Sequence, residues 1–162
     1  MNSKQLNTAC IEKIKELAPE VYKNELHITR PFFTLNSLLF NKGEKILSED
    51  YKLTQSELDI LASLYFSETD NFSLTPTQLK DIMFFTSGGM TKLLKKLEEK
   101  EYIIKIDNEA DKRSKSIQIT ESGIKITSKA LKDIIEFESS YFSKLNHEEQ
   151  KQFKNLLYKV LN

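Results

Sequence analysis

Cysteine is nearly absent from this chain. Cys10 stands alone in 162 residues, so no internal disulfide framework can form and a reducing cytoplasm is the simplest home. Long apolar runs are missing too. None approaches the roughly 20 residues that a bilayer span needs, which excludes a membrane partner. The opening Met1-Asn2-Ser3-Lys4-Gln5-Leu6 also lacks the apolar core of a secretion signal. Cys10, His27 and His147 are scattered with no ligand-pair spacing, so no metal is expected. No histidine sits in a nucleophile or base constellation, and Gly88-Gly89 is not followed by phosphate-loop spacing. Carboxylates are spread over helix surfaces. These absences leave no catalytic residues to name, imply no cofactor, and argue against an enzyme.

Excess charge of one sign is lacking as well. Twenty-four basic residues balance 24 acidic ones, so any affinity for phosphates must come from a local patch rather than from the overall field. Arginine is confined to Arg30 and Arg113. What is there is an ordinary soluble composition, 39% apolar and 30% charged, somewhat short of core for one domain. A second copy of the chain would complete it.

Helical periodicity dominates. Leu6, Cys10, Ile14 and Leu17 form a stripe that ends before Pro19. The stretch through His27 has no clear period, and Pro31 suits the first turn of a long helix carrying Phe32, Leu35, Leu39 and Ile46. Thr54 with Glu57 reads as a capping box ahead of Leu58, Leu61, Leu64 and Tyr65. Ser67 to Ser73 reads as a loop. Thr75-Pro76 opens a short helix with Leu79, Ile82 and Met83 inward. Thr86-Ser87-Gly88-Gly89 interrupts it, and a second helix follows with Met90, Leu93, Leu94 and Leu97 inward. Two short helices about a polar turn make a helix-turn-helix. The segments 102–106 and 116–120 then read as strands, the second with Ile117 and Ile119 on one face. The charged loop between them makes the pair a wing. Helical period returns over 122–141 through Ile126, Leu131, Ile134 and Phe137. A last helix starts at Asn146, backed by Glu149, and carries Phe153, Leu156, Leu157 and Val160.

From Leu53 to Gly123 these pieces run in a characteristic order. They are Leu53-Thr54-Gln55-Ser56-Glu57-Leu58-Asp59-Ile60-Leu61, then Leu74-Thr75-Pro76-Thr77-Gln78-Leu79. Next come Ser87-Gly88-Gly89-Met90-Thr91-Lys92-Leu93-Leu94-Lys95-Lys96-Leu97-Glu98, a wing with Asp107, Asp111 and Arg113, and Ile119-Thr120-Glu121-Ser122-Gly123. In register they resemble the multiple-antibiotic-resistance regulator (MarR) family of bacterial transcription factors. The resemblance implies a mainly α fold with a small β-wing, a winged helix-turn-helix over 51–121. It also implies dimerisation helices over 1–50 and 122–162. The function implied is that of a homodimer binding double-stranded DNA at a pseudo-palindromic operator, a repressor relieved by a small ligand. Two positions depart from the family. Glu101 stands where glycine usually follows the recognition helix, and Lys105 stands where arginine usually opens the wing. A left-handed glutamate costs roughly 1 kcal/mol over glycine, and a lysine lacks the bidentate fork.

With Met90, Leu93, Leu94 and Leu97 inward, the outward set is Ser87, Gly88, Thr91, Lys92, Lys95 and Lys96. It carries hydroxyls and cations with no carboxylate before Glu98, which suits entry into the major groove. Arg113 at the wing tip suits the minor groove, where negative potential concentrates, and the resemblance implies that Asp111 helps to orient it. Lys112, Lys115 and Thr75 or Thr77 would meet phosphates. Family resemblance also implies a small aromatic or anionic effector, for which Phe32, Phe33, Phe40 and Tyr51 are the lining candidates; aromatics at such spacing also serve as plain core. Two alternatives stay open. One is a winged module for protein contacts, which would show apolar anchors on the outward face. The other is redox sensing through Cys10, whose neighbourhood offers only Lys13 as an activating cation.

Overall fold

The computed structural model describes residues 2–69, 71–83, 87–107 and 115–162, the side chain of Ser87 excepted. The chain divides into two compact units, residues 1–45 and 46–162.

In the first unit, α1 (Ser3–Leu17) starts with a capping box in which Asn2 and Gln5 exchange bonds of 3.0 Å. Within the single chain it buries Asn7 and Ile11, while Cys10 and Ile14 of the expected stripe are half-buried. Leu6 and Leu17 lie one helical position round and are exposed, because the contact with α2 (Leu26–Ile46) is made through Asn7. There the Thr34 hydroxyl donates to the Asn7 side-chain oxygen at 3.1 Å. Pro31 also falls differently from expectation, as the sixth residue of α2 rather than in its first turn. The helix begins earlier because the Glu25 carbonyl already accepts from Ile28 and Thr29, both at 2.9 Å. Pro31 then lacks only the bond to the His27 carbonyl, a loss that is mild so near the start. Ile28, Phe32, Phe33 and Phe40 remain exposed.

The second unit holds the core. Leu58, Ile60, Leu61 and Leu64 of α3 (Gln55–Tyr65) are sealed in it, and Thr54 and Glu57 form the expected capping box. Segment 67–73 is not wholly loop. Ser73–Leu74 forms β1, which pairs antiparallel with a later strand, β3 (Lys115–Ile119), Ser73 opposite Gln118. Two residues are too few to show a period. In α4 (Pro76–Met83) Leu79 is buried and Met83 packs on the core, but Ile82 is 53% exposed. An eight-residue helix presents one narrow stripe, and the 79/83 spacing of four fills it. Helix α5 (Ser87–Glu99) includes Ser87, Gly88 and Gly89 in its first turn, so these residues open the helix instead of interrupting the pattern.

Strands β2 (Ile103–Asp107) and β3 (Lys115–Ile119) form the hairpin, with β3 central in the order β1-β3-β2. Both sit one residue off the expected bounds. Tyr102 is consumed in closing α5, donating to the Leu97 carbonyl at 3.0 Å, and Thr120 caps the next helix by accepting from Gly123 at 3.0 Å. Helix α6 (Glu121–Phe142) buries Gly123, Thr127, Ala130 and Ile134. Helix α7 (His147–Leu161) has the expected Asn146/Glu149 capping box. Phe153 and Leu157 share a groove with Phe142, whereas Leu156 and Val160 point outward. The architecture is mainly α with one small sheet.

Glu101 is left-handed, with φ of 59°. Its N–H donates to Glu98 at 2.9 Å while that of Tyr102 reaches Leu97, the paired closure that usually carries glycine. Glu101→Gly is therefore expected to stabilise the chain by about 1 kcal/mol and raise Tm by about 3 °C. A fall in Tm on thermal melting would contradict this reading of the turn.

Candidate nucleic-acid interface

The α5 surface follows from how its other side is spent. Met90, Leu94 and Leu97 are buried and Leu93 is half-buried against the same core. That leaves Gly88, Thr91, Lys92, Lys95 and Lys96 exposed. Lys92 and Lys96 make no ion pair among the described residues. Lys95 lies 3.8 Å from Glu99, but both side chains are well exposed, and such a pair holds little energy. No apolar anchor interrupts this face between Gly88 and Lys96.

Between α4, α5 and the hairpin runs a groove of about 470 Å³ with Met90, Leu94 and Ile117 at its base. Its rim carries Thr77, Thr91 and four lysines, Lys80, Lys95, Lys105 and Lys115. Lys80 is an addition to the sequence-derived set, and Lys105, singled out there only as the residue that opens the wing, joins it. Lys80 lies one turn beyond Thr77 on the exposed side of α4, so the same face reading applied to α4 would have found it. Lys105 sits on β2, and only the strand pairing brings it to the groove. Its ammonium lies 2.5 Å from the Glu98 carboxylate, at the end of α5. This pair ties the wing's first strand to the helix and holds one positive charge close to neutral. Lys115 is likewise partnered, by Asp107, its cross-strand register neighbour. The result is a rim of hydroxyls and ammoniums that can take an anionic, polyvalent partner but is built on a neutralised frame.

Thr75 is committed to local structure. Its N–H donates to Gln78 at 2.8 Å and its hydroxyl to the same oxygen at 2.9 Å, while accepting from the Gln78 amide at 3.2 Å. Thr77 is exposed on the groove. Lys112, Arg113 and Asp111 lie outside the described residues, as does the side chain of Ser87. Phe32, Phe33 and Phe40 belong to the first unit, where all three are largely exposed and Phe33 reaches 62%. Tyr51 belongs to the second, and its hydroxyl is taken up by Asp133. Cys10 is a half-buried free thiol. Among the described residues no cluster of three metal-ligating side chains occurs and no helix is long and apolar enough to cross a membrane.

One buried pair braces the whole arrangement. Glu57, 2% exposed, receives the Lys100 ammonium at 2.9 Å, and Lys100 also donates to the Lys52 carbonyl at 2.8 Å. Burial pushes the Glu57 carboxyl up, but bonds from Lys100 and Thr54 outweigh it and hold the pKa below the ordinary 4.5. The end of α5 is thereby pinned to the start of α3.

These geometries can be set beside known proteins. The sequence model of the MarR family matches residues 51–114. The HTH-type (helix-turn-helix) transcriptional regulator PecS of Dickeya dadantii is 29% identical over 125 residues, which is 76% of this chain and 74% of PecS. An uncharacterised HTH-type transcriptional regulator of Bacillus cereus (strain ATCC 14579) is 32% identical over 124 residues, 74% of this chain and 80% of its own length. Among solved structures, the complex of Staphylococcus aureus MepR with DNA aligns with a TM-score of 0.71 at 28% identity, covering 86% of this chain and 97% of MepR. With the helix-turn-helix, the hairpin and the flanking helices all in place, the chain belongs to the MarR family of winged-helix transcriptional regulators.

Proposed function

We propose that this chain binds double-stranded DNA sequence-specifically as a homodimer and regulates transcription as a repressor released by a small ligand. One observation carries the reading: the outward face of α5 presents Thr91, Lys92, Lys95 and Lys96 with no apolar anchor, beside a lysine-rimmed hairpin. A module for protein contacts would place aromatic or aliphatic anchors there. MepR, aligned above, is seen in complex with DNA, which supports the same partner here.

In this reading α5 enters the major groove and the wing carries Arg113 to the minor groove. Gly88 and Ser87 lie at the leading turn. Lys112, Lys115 and Thr77 meet phosphates, joined by Lys80. Thr75 contributes through the geometry it gives α4, since its hydroxyl and amide are engaged. Residues 51–121 form the reading domain, and 1–50 with 122–162 supply the dimer contacts. Leu6, Leu17, Ile28, Leu156 and Val160, all exposed in the single chain, are the surface a second copy would cover. The effector would be aromatic or anionic and lie against Phe32, Phe33 and Phe40. A cytoplasmic location accompanies this role, and no catalytic activity is proposed.

A salt series tests it. Binding to bulk duplex DNA should weaken steeply with salt, by about 0.9 in log K per log salt for each phosphate contacted. Lys92→Ala and Arg113→Ala should each lower affinity for a selected operator about tenfold, within the range typical of a lost base or phosphate contact, with dimerisation unchanged. Absence of binding even at low salt would favour the protein-contact module, and unchanged affinity of both variants in fluorescence anisotropy would remove these residues from the interface.

A further inference from the structure

Several lysines on the rim of the α5 groove are met by carboxylates of the chain itself, and the pairs are not alike. Lys95 with Glu99 and Lys115 with Asp107 are both well exposed. Water and salt screen them, so a phosphate can draw either lysine away. Lys105 and Glu98 are held differently. Their charged atoms stand 2.5 Å apart, and the side chains are only 47% and 39% exposed, the least open of the three pairs.

Lys105 stands where a DNA backbone would run. It borders the groove together with Thr91 and Lys95 of α5, and its cross-strand neighbour on β3 is Ile117, which lies at the groove's base. A lysine in that place has a flexible stem and three donors, which suit a phosphate. An ammonium that already meets a carboxylate neutralises no phosphate, releases no counterion from the duplex and adds nothing to affinity. Glu98, in the last turn of α5, therefore decides whether this cation counts.

We propose that Glu98 is an affinity-setting residue: by holding Lys105 it withholds one cation from the phosphate backbone and keeps the grip on DNA weaker than the lysines of the groove would make it, a role that rests on the DNA-binding reading above. Glutamine tests this well. It keeps the length of the side chain and its helix preference but removes the charge.

The probe is bulk duplex DNA, with binding to the whole chain followed by fluorescence anisotropy over a salt series. Glu98→Gln should bind about eightfold more tightly at about 0.1 M salt for each protomer engaged. The slope of log K against log salt should steepen by about 0.9 for each, the value of one added phosphate contact. Lys105→Gln in the wild-type chain should cost less than about twofold, because the ammonium meets Glu98 rather than DNA and the carboxylate left behind turns to water. The same substitution in the Glu98→Gln chain should undo the whole gain. Since the pair is partly exposed, the melting temperature should move by no more than about 3 °C in any of the three variants.

Weaker binding by Glu98→Gln would mean that the pair serves only to steady the hairpin, and unchanged affinity and slope would mean that Glu98 withholds nothing. Equal losses from Lys105→Gln in both backgrounds would show that Lys105 touches DNA already. Each of these results overturns the role of Glu98 and leaves the DNA-binding reading standing. A wild-type chain that binds no duplex even at low salt would overturn that reading, and the role of Glu98 with it.

Discussion

Replacing Gly123 by alanine should destabilise the chain by about 3 kcal/mol and lower Tm by about 10 °C. A Cβ built at this position would lie 2.2 Å from the Tyr102 carbonyl oxygen and 2.7 Å from Ile119 Cγ1. The first of these is main chain and cannot rotate away as a side chain can. It is also held from several directions. The Tyr102 carbonyl accepts the Thr120 N–H at 3.0 Å, and the neighbouring Glu101 carbonyl accepts the hydroxyls of Thr120 and Ser122, each at 2.8 Å. Moving Tyr102 would strain the left-handed Glu101 and the closure of α5. Moving α6 instead would unseat Thr127, whose hydroxyl donates to the Gly123 carbonyl at 2.6 Å. Neither side can give cheaply. Thermal and chemical denaturation of the variant check this directly, and a loss below about 1 kcal/mol would mean that the knot yields far more easily than its bonds imply. Because the same knot joins the last turn of α5 to the hairpin, the variant should lose DNA affinity before it unfolds.

What could be read from the chain beforehand was whatever depends on a few neighbouring residues. The Thr54/Glu57 and Asn146/Glu149 boxes appear as expected, because both bonds in each close within three residues. The buried side of α5 was legible for a related reason: spacings of three and four recur from Met90 to Leu97, about two turns, long enough for one stripe to prevail. Glu101 was marked by the family resemblance, which puts glycine after that helix. The failures share an opposite origin. The strand ends slipped by one residue because Tyr102 and Thr120 are claimed by helix closure and helix capping, bonds that no alternation pattern contains. β1 exists only because β3 offers it an edge. The Asn7 contact could not be read from its neighbours, since it is made to a hydroxyl 27 residues away.

At the candidate interface the same division holds. Thr91, Lys92, Lys95 and Lys96 could be placed from helical spacing alone. Lys105 was marked only by the resemblance, as the residue that opens the wing; its pairing with Glu98 could not be read, since it depends on strand β2 folding back beside the end of α5. The bond between Tyr51 and Asp133 could not be foreseen either: it spans 82 residues, and an aromatic ring next to a polar turn reads equally as a pocket wall. Charge neutrality of the whole chain hid a local surplus, because the carboxylates Glu57, Glu98 and Asp107 are each paired to a lysine while Lys92 and Lys96 are left facing outward.

Glu57 is where that pairing matters most for the fold. Glu57→Ala should cost about 3 kcal/mol, since it removes the capping bonds to Thr54 and leaves Lys100 without its carboxylate. Lys100→Ala should cost about 2 kcal/mol, less because Thr54 still satisfies part of Glu57 and Lys100 is itself about a third exposed. The carboxylate's pKa is lowered in the folded chain from 4.5, so the unfolded chain takes up its proton first as the solution is acidified. Its stabilisation is therefore complete above about pH 4.5 and disappears as pH falls through the lower folded value. Glu57→Gln should flatten this part of the stability profile, measured by urea denaturation between about pH 5 and 3, while costing something at neutral pH. A wild-type profile that is already flat there would mean that burial, which favours the protonated acid, cancels the bonds from Lys100 and Thr54. If α5 reads DNA as proposed, both substitutions at this pair should also weaken DNA binding without altering its outward face, because Lys100 pins the end of α5 to α3.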